Sequence, residues 1–347
     1  MCYTGVKKSA KKGDRMKNYF PVNDLAPQGE ALTVYVKKVP EKKSDGFAVV
    51  ENGKVFVIDI GKRDDDQLIR FLADLREKWL GETRPADGMA AKLELTLIIS
   101  HAHTDHMAAL PLLLGDERFC VTEIYAPERA IASIDRPEEL TPLVTHEERL
   151  DRLCAQLAEQ GHTAAGVTRI PFGSTHILQS GNTTLKIYAA PFDWSEDRPS
   201  DKEGIRFIRN NNPSFYSDRP AIGYTNGILN GNSLWVKITK GKHSVLITGD
   251  QRDSDEMLGA MIRYHGEGEF ACDVLKLPHH GVGNYPPYLL QVAKPKYVVF
   301  TASRKGATPE TVQLCEEMGC INYYTRRGDL FFSIGENGII PCGIEPQ

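Results

Sequence analysis

The sequence predicts a mixed α/β (α+β) fold, two sheets packed face to face with helices outside, a four-layer αββα arrangement. Three observations carry this. Short β-rich runs and amphipathic helical runs mix along the chain, strand-rich blocks occur in both halves, and no fixed-period repeat suggests a solenoid.

The elements follow in order. Residues 1–29 are polar, Lys-rich and end in "APQG", which reads as a flexible basic arm. From 30 to 347 the texture is that of a single domain. "ALTVYVKKV", "GFAVVENG" and "KVFVIDIG" are short strands, the last two joined by a turn at Asn52-Gly53. "DDDQLIRFLADLREKWLGE" has helical spacing at Leu68, Phe71, Leu72 and Leu75 and stops at Gly81. "LELTLIIS" reads as a buried strand. "MAALPLLLGDE" starts a short helix that tolerates Pro111 only in its first turn. "VTEIYAP" is another strand and residues 137–160 are mostly helix.

The second half repeats the pattern. "TTLKIYAAP", the hairpin "NSLWVKITKGKHSVLITGD", "CDVLKLPHHG" and "KYVVFTAS" are strands, "SDEMLGAMIRYHG" and "TPETVQLCEEMG" are helices, and "INYYTRRGDLFFSIGENG" closes with short strands. Residues 193–231 form the longest stretch without regular pattern. A loop of that length in a compact domain points to function or disorder.

Composition narrows the class. The 347 residues are 41% hydrophobic and 25% charged, enough apolar material for a large core. A net charge of -4 argues against a general polyanion binder. No apolar run has membrane-spanning length and the N-terminus lacks an apolar signal segment. Seven scattered cysteines without a C-x-x-C pair read as reduced thiols, hence a cytoplasmic protein.

The chemistry concentrates at three strand ends. "LTLIIS" runs straight into His101, His103, Asp105 and His106. Burying four polar side chains there costs free energy unless something binds them. In an extended chain 101 and 103 point to one side and can grip one ion. Asp105 and His106 fall where the chain turns into a helix and can diverge toward a second. "SVLITGD" ends in Asp250, able to place one oxygen on each ion. "DVLKLPHHG" ends in His279-His280, one of which completes the second ion. His and Asp without Cys suit Zn2+ best, with Mn2+ or Fe also fitting.

These motifs, with "KYVVFTAS" and "YYTRRGDLFFSI", resemble the metallo-β-lactamase superfamily, in particular the hydrolase domain of the ComEC/Rec2 competence proteins and related stand-alone esterases, over about residues 31–335. The resemblance implies a metallo-β-lactamase αββα sandwich with a dinuclear site at one sheet edge. Carried over by position, His101, His103 and Asp250 hold the first metal. Asp105, His106, Asp250 and His280 hold the second, His280 being preferred because it precedes Gly281, where the backbone can turn in close. His279 is then a substrate contact.

The sequence departs from the pattern at three places. Ala190 stands where many superfamily members have a further histidine, which leaves the first metal an open position. Val282 replaces the serine after His-His-Gly. "KKVPEKKSDGFAVV" replaces a Gly-Gln-Gly-Asp stretch. His162 and His176 fall outside the motifs.

The expected activity is hydrolysis of a phosphodiester (a nucleic-acid end, a nucleotide or a phospholipid-like ester) by a hydroxide shared between two ions about 3.5–4 Å apart. The expected catalytic set is Asp105, Asp250 and His279. Arg206 and Arg209 in the long loop, Asn232 and Lys276 are the expected substrate contacts, Lys276 by pointing outward from its strand. The alternatives are an acyl hydrolase of lactonase, thioesterase or β-lactamase type, and a non-enzymatic binding module. No membrane partner is expected, and the sequence names no protein partner.

Overall fold

The structure, a computed structural model, describes residues 31–39, 43–81, 91–130, 141–159, 166–191, 229–251, 254–283 and 286–347. The N-terminal arm at 1–29, His162, and nearly all of the 193–231 loop, with Arg206 and Arg209, lie outside the described residues.

Two sheets carry the chain. The first contains β1 (Leu32–Val36), β2 (Phe47–Glu51), β3 (Lys54–Ile58), β4 (Leu93–Ile98), β5 (Phe119–Pro127), β6 (Val167–Ile170), β14 (Leu330–Gly335) and β15 (Gly338–Cys342). Its spatial order is β15-β14-β1-β2-β3-β4-β5-β6. The second contains β7 (Thr175–Ser180), β8 (Thr183–Tyr188), β9 (Trp235–Lys240), β10 (His243–Thr248), β11 (Val274–Lys276), β12 (Tyr297–Phe300) and β13 (Ile321–Tyr324). Its order is β13-β12-β11-β10-β9-β8-β7. Each sheet is antiparallel on one side and parallel on the other: β3 to β6 run parallel in the first, β10 to β13 in the second.

Period-two alternation explains how the sheets stack. On β1 to β3, Leu32, Val34, Val36, Phe47, Val49, Phe56 and Ile58 enter the layer between the sheets, where Val236, Ile238, Val245, Ile247 and Val299 meet them. The intervening Tyr35, Ala48, Val50, Val55 and Val57 face outward, under α1 (Gln67–Leu80), α3 (Leu110–Leu114) and α4 (Thr141–Glu159). On the far side, Trp235, Leu246, Leu275, Val298 and Phe300 are covered by α5 (Ser254–His265) and α6 (Pro287–Ala293), with Cys315 of α7 (Pro309–Glu317) reaching the same layer. Helix, sheet, sheet, helix is the four-layer arrangement the sequence predicts.

Local signals land where expected. Leu68, Phe71, Leu72 and Leu75 form the buried stripe of α1, and the chain leaves the helix at Gly81. Pro111 occupies the first turn of α3, where no amide is needed. The helix expected at 137–160 is described from 141 to 159. Strands β6, β7 and β15 and helix α6 have no counterpart in the sequence reading. β6 and β7 are sheet edges, with fewer buried positions to give them a pattern. The six described cysteines are free thiols. No helix among the described residues is long and apolar enough to cross a membrane.

The parallel strands carry the consequence for function. Residues following β3, β4, β10, β11 and β12 all emerge at strand C-terminal ends. Leu234 N donates to Ser100 O at 2.9 Å, tying the two sheets together at that edge.

Candidate metal centre

His101, His106 and His280 are each held from behind. After β4, Ser100 Oγ donates to Asp59 Oδ2 at 2.7 Å and therefore accepts from His101 Nδ1 at 3.0 Å. His101 Nε2 then faces His103 Nδ1, 3.0 Å away. His106, in the one-turn helix α2 (Thr104–Met107), points Nδ1 at Asp59 Oδ2 across 2.7 Å. His280 Nδ1 lies 2.9 Å from Asp45 Oδ1 and 3.0 Å from Thr301 Oγ1. A carboxylate accepts only, so Nδ1 donates in both cases and Nε2 is left to face inward.

The inward atoms converge. His106 Nε2 and His280 Nε2 sit 3.2 and 3.0 Å from Asp250 Oδ2, and Asp105 Oδ2 is 3.4 Å from His280 Nε2. His106, Asp250 and His280, with Asp45, offer ligand atoms all within 4.8 Å of one another, every residue buried. The His101 ring lies tilted against that of His106, centroids 4.1 Å apart, so the His101–His103 pair adjoins this cluster. Asp45 is better read as the orienting partner of His280 than as a ligand, since its other oxygen pairs with Lys276.

Backbone geometry supports the convergence. His279 and His280 both adopt left-handed φ, 48° and 61°, which costs energy in non-glycine residues. The bend is held by His279 N to Gly249 O and by Thr308 N to Gly281 O. Gly281 continues the turn at φ 74°, and a Cβ there would meet Phe300 at 2.4 Å. Gly249 brings the other loop in: a Cβ there would sit 2.5 Å from Ser233, whose Oγ receives Asp250 N.

Electrostatics sets the charge of the site. Burial disfavours ionisation of Asp45, Asp105 and Asp250, yet each is held below the usual carboxylate range. Lys276 and His280 do this for Asp45, and His280 and His106 for Asp105 and Asp250. The imidazoles respond. Burial opposes protonation of His106, but Asp250 and Asp59 raise its pKa well above the ordinary value. His280 is pushed up to about 9 by Asp250 and Asp45 against the same penalty. His101 goes the other way, lowered by burial and by its histidine neighbours. Without metal, protons on two imidazoles and the Lys276 ammonium offset three of the four carboxylates Asp45, Asp59, Asp105 and Asp250, which leaves the cluster short of positive charge.

Divalent cations fit this donor set. His106 Nε2, His280 Nε2 and Asp250 Oδ1 are buried and make no hydrogen bond of acceptable geometry. Such orphaned atoms are costly unless a ligand engages them. Both imidazoles present Nε2 with Nδ1 fixed by a carboxylate, the usual arrangement behind a metal-bound histidine.

Other expected contacts fall differently. Lys276 does not point outward. It shares strand parity with Val274, which faces the layer between the sheets, and it is buried. Its ammonium pairs with Asp45, lies 3.5 Å from Asp250 Oδ1, and donates to Thr248 O and Gly249 O. It underpins the carboxylates from a position sealed from solvent. Asn232 is buried and donates Nδ2 to Glu128 O at 2.7 Å while lining a small cavity beside His101. His176 packs its ring on Tyr125. Ala190 is buried at the end of β8.

Sequence reasoning missed Asp59, Asp45 and Ser100. "VFVIDIG" ends a strand in aspartate as "SVLITGD" does, so Asp59 carried the same signal as Asp250. Asp45 sits in the very stretch noted for lacking Gly-Gln-Gly-Asp. Lys43 was also missed. Its Nζ lies 3.1 Å from His279 Nε2 and 3.7 Å from Asp105 Oδ2.

No family model matches the sequence, and no curated protein matches it. Solved structures do. The metallo-beta-lactamase fold protein YhfI from Bacillus subtilis is similar over 87% of this chain and 99% of that one, at 14% identity and a TM-score of 0.47. The short form of human tRNase Z is similar over 77% and 90%, at 12% identity and a TM-score of 0.40. A diphosphatase from the PhnP family is similar over 85% and 86%, at 11% identity and a TM-score of 0.37. At such distances no activity transfers. The two-sheet arrangement seen here agrees with the sandwich that the motifs implied.

Two outcomes follow from the charge balance. Lys276→Met leaves Asp45 and Asp250 without their buried cation, so chelator-treated protein should lose about 3–5 kcal/mol in denaturant unfolding. A loss below about 1 kcal/mol would contradict the balance. The folded pKa of His280 lies above its unfolded value. Its contribution is therefore complete below about pH 6.5 and lost as pH rises through about 9. Metal-free protein should unfold at lower denaturant at about pH 9.5 than at about pH 7, and equal midpoints would refute the assignment.

Proposed function

We propose that the chain is a dinuclear metal-dependent hydrolase acting on a phosphodiester, of the ComEC/Rec2-like kind, working in the cytoplasm. In this reading residues 30–347 are one hydrolase domain behind a basic arm. The observation that carries the proposal is the convergence of His106 Nε2 and His280 Nε2 on Asp250 Oδ2, each ring fixed from behind by a carboxylate. Structural polar clusters satisfy their atoms with well-formed hydrogen bonds, whereas here three buried ligand-type atoms are held only by ion pairing across 3.0–3.5 Å.

In this reading His101, His103 and Asp250 would hold one ion, and Asp105, His106, Asp250 and His280 would hold the other. Zinc suits the donors best, and manganese or iron is compatible. When bound, two such cations supply water activated toward hydroxide at neutral pH and a Lewis acid for a phosphoryl oxygen.

The remaining steps belong to the chain. Asp59 and Asp45 keep Nδ1 protonated on His106 and His280, which fixes ring orientation through turnover. Asp105 would serve as a ligand beside His280 and orient the attacking water. It does not serve as a free proton acceptor, because a carboxylate among positive charges holds no proton. His279 stands beside this position as a substrate contact. Ala190 in place of a further imidazole favours a phosphoryl group, which can approach where a ligand would otherwise stand.

The test is hydrolysis of bis-p-nitrophenyl phosphate by zinc- or manganese-loaded protein, with nitrocefin and an acyl-homoserine lactone as contrasts. Cleavage of the phosphodiester alone is expected, with activity falling at least about 100-fold in Asp250→Ala and in His280→Ala. Cleavage of nitrocefin or the lactone alone would replace this reading with acyl hydrolysis.

A further inference from the structure

We propose that Lys43, seated against His279, anchors an anionic oxygen of the substrate at the mouth of the site. This deepens the hydrolase reading and rests on it for the identity of the substrate.

Two lysines approach the carboxylates, and their surroundings assign them different work. Lys276 comes from below and is sealed, its side chain 2% exposed and its donors spent on Asp45 and two carbonyls. Lys43 comes from the open side, its side chain 33% exposed. Its backbone is fixed while its ammonium keeps reach. Lys43 forms a bridge with Ala302, Asp45 N donates to Asp105 O at 3.1 Å, and Ser44 Oγ donates to the same carbonyl at 3.2 Å. A short rigid base therefore carries a flexible four-carbon stem ending 3.7 Å from Asp105 Oδ2.

His279 supplies the second wall. An ammonium has no acceptor, so at 3.1 Å its proton points to His279 Nε2. That ring is itself buried, and left-handed backbone at φ 48° sends it to Lys43 just before His280 turns to the carboxylates. The two adjacent histidines thus divide their work, one toward the carboxylates and the other toward Lys43. An oxyanion arriving there meets an ammonium that can exchange an aromatic nitrogen for a charge-assisted hydrogen bond, the stronger contact.

Isothermal titration with inorganic phosphate on the full, zinc-loaded chain tests this, comparing wild type with Lys43→Met, Lys43→Gln and Lys43→Arg. Metal content and thermal unfolding are measured alongside. The expected result is phosphate affinity about tenfold weaker in the Met and Gln variants and within about threefold in Arg, with zinc content unchanged. KM for bis-p-nitrophenyl phosphate should rise in parallel while kcat changes less. A lysine that only offsets Asp105 would give another signature, tighter zinc uptake with unchanged phosphate affinity, and that would overturn the proposal. Absence of phosphate binding by wild type would overturn it too. Phosphate binding that is lost with Lys43, in a protein that hydrolyses no ester, would uphold the anchor while removing the hydrolase reading.

Discussion

Asp45, Asp105 and Asp250 are removed from water within a few ångströms of one another, where the two sheets meet. Carboxylates in such a place stay ionised only if positive charge is brought to them. Lys276 supplies one charge permanently, by a side chain that runs between the sheets to reach Asp45. Protons on His106 and His280 supply two more when no cation is present, and with Asp59 behind His106 the cluster stays one positive charge short. Those protons sit on the nitrogens best placed to hold a metal. The electrostatic demand that destabilises an empty acidic cluster is the same demand a divalent cation would meet, and its binding would displace the imidazole protons.

Topology makes the cluster possible. Parallel strands direct their C-terminal ends to one edge, and both sheets have a parallel half. Segments far apart in the chain therefore arrive together: Asp45 before β2, Asp59 after β3, His101 after β4, Asp250 after β10 and His280 after β11. The bond from Leu234 N to Ser100 O joins the sheets beside the ligands, so the relative position of the two halves is fixed where it matters. The left-handed pair at 279 and 280 is strain held by that frame, and it separates the directions of two neighbouring imidazoles.

Much of this was legible in the sequence, and the failures have physical causes. An apolar strand followed by His or Asp pointed to His106, Asp250 and His280, which the structure brings together, and to His101, His103, Asp105 and His279 beside them. Asp59 escaped although "VFVIDIG" has the same texture, because a single aspartate before Ile-Gly reads equally as a turn. Asp45 escaped because it precedes its strand, on the antiparallel side of the pattern. Lys276 was expected to face solvent because lysine rarely pays for burial. Parity with Val274 pointed inward, and Asp45, 231 positions away, is what makes that burial tolerable. β6 and β7 lacked signal as edge strands. Partners brought by tertiary structure leave no mark on local sequence.

The most direct measurement is diffraction from crystals of zinc-loaded protein, recorded on both sides of the zinc absorption edge. The expected result is one anomalous peak enclosed by Asp105, His106, Asp250 and His280, and a second bounded by His101, His103 and Asp250. Zinc bound only elsewhere on the surface, with Asp250 still lying against bare imidazoles, would contradict it.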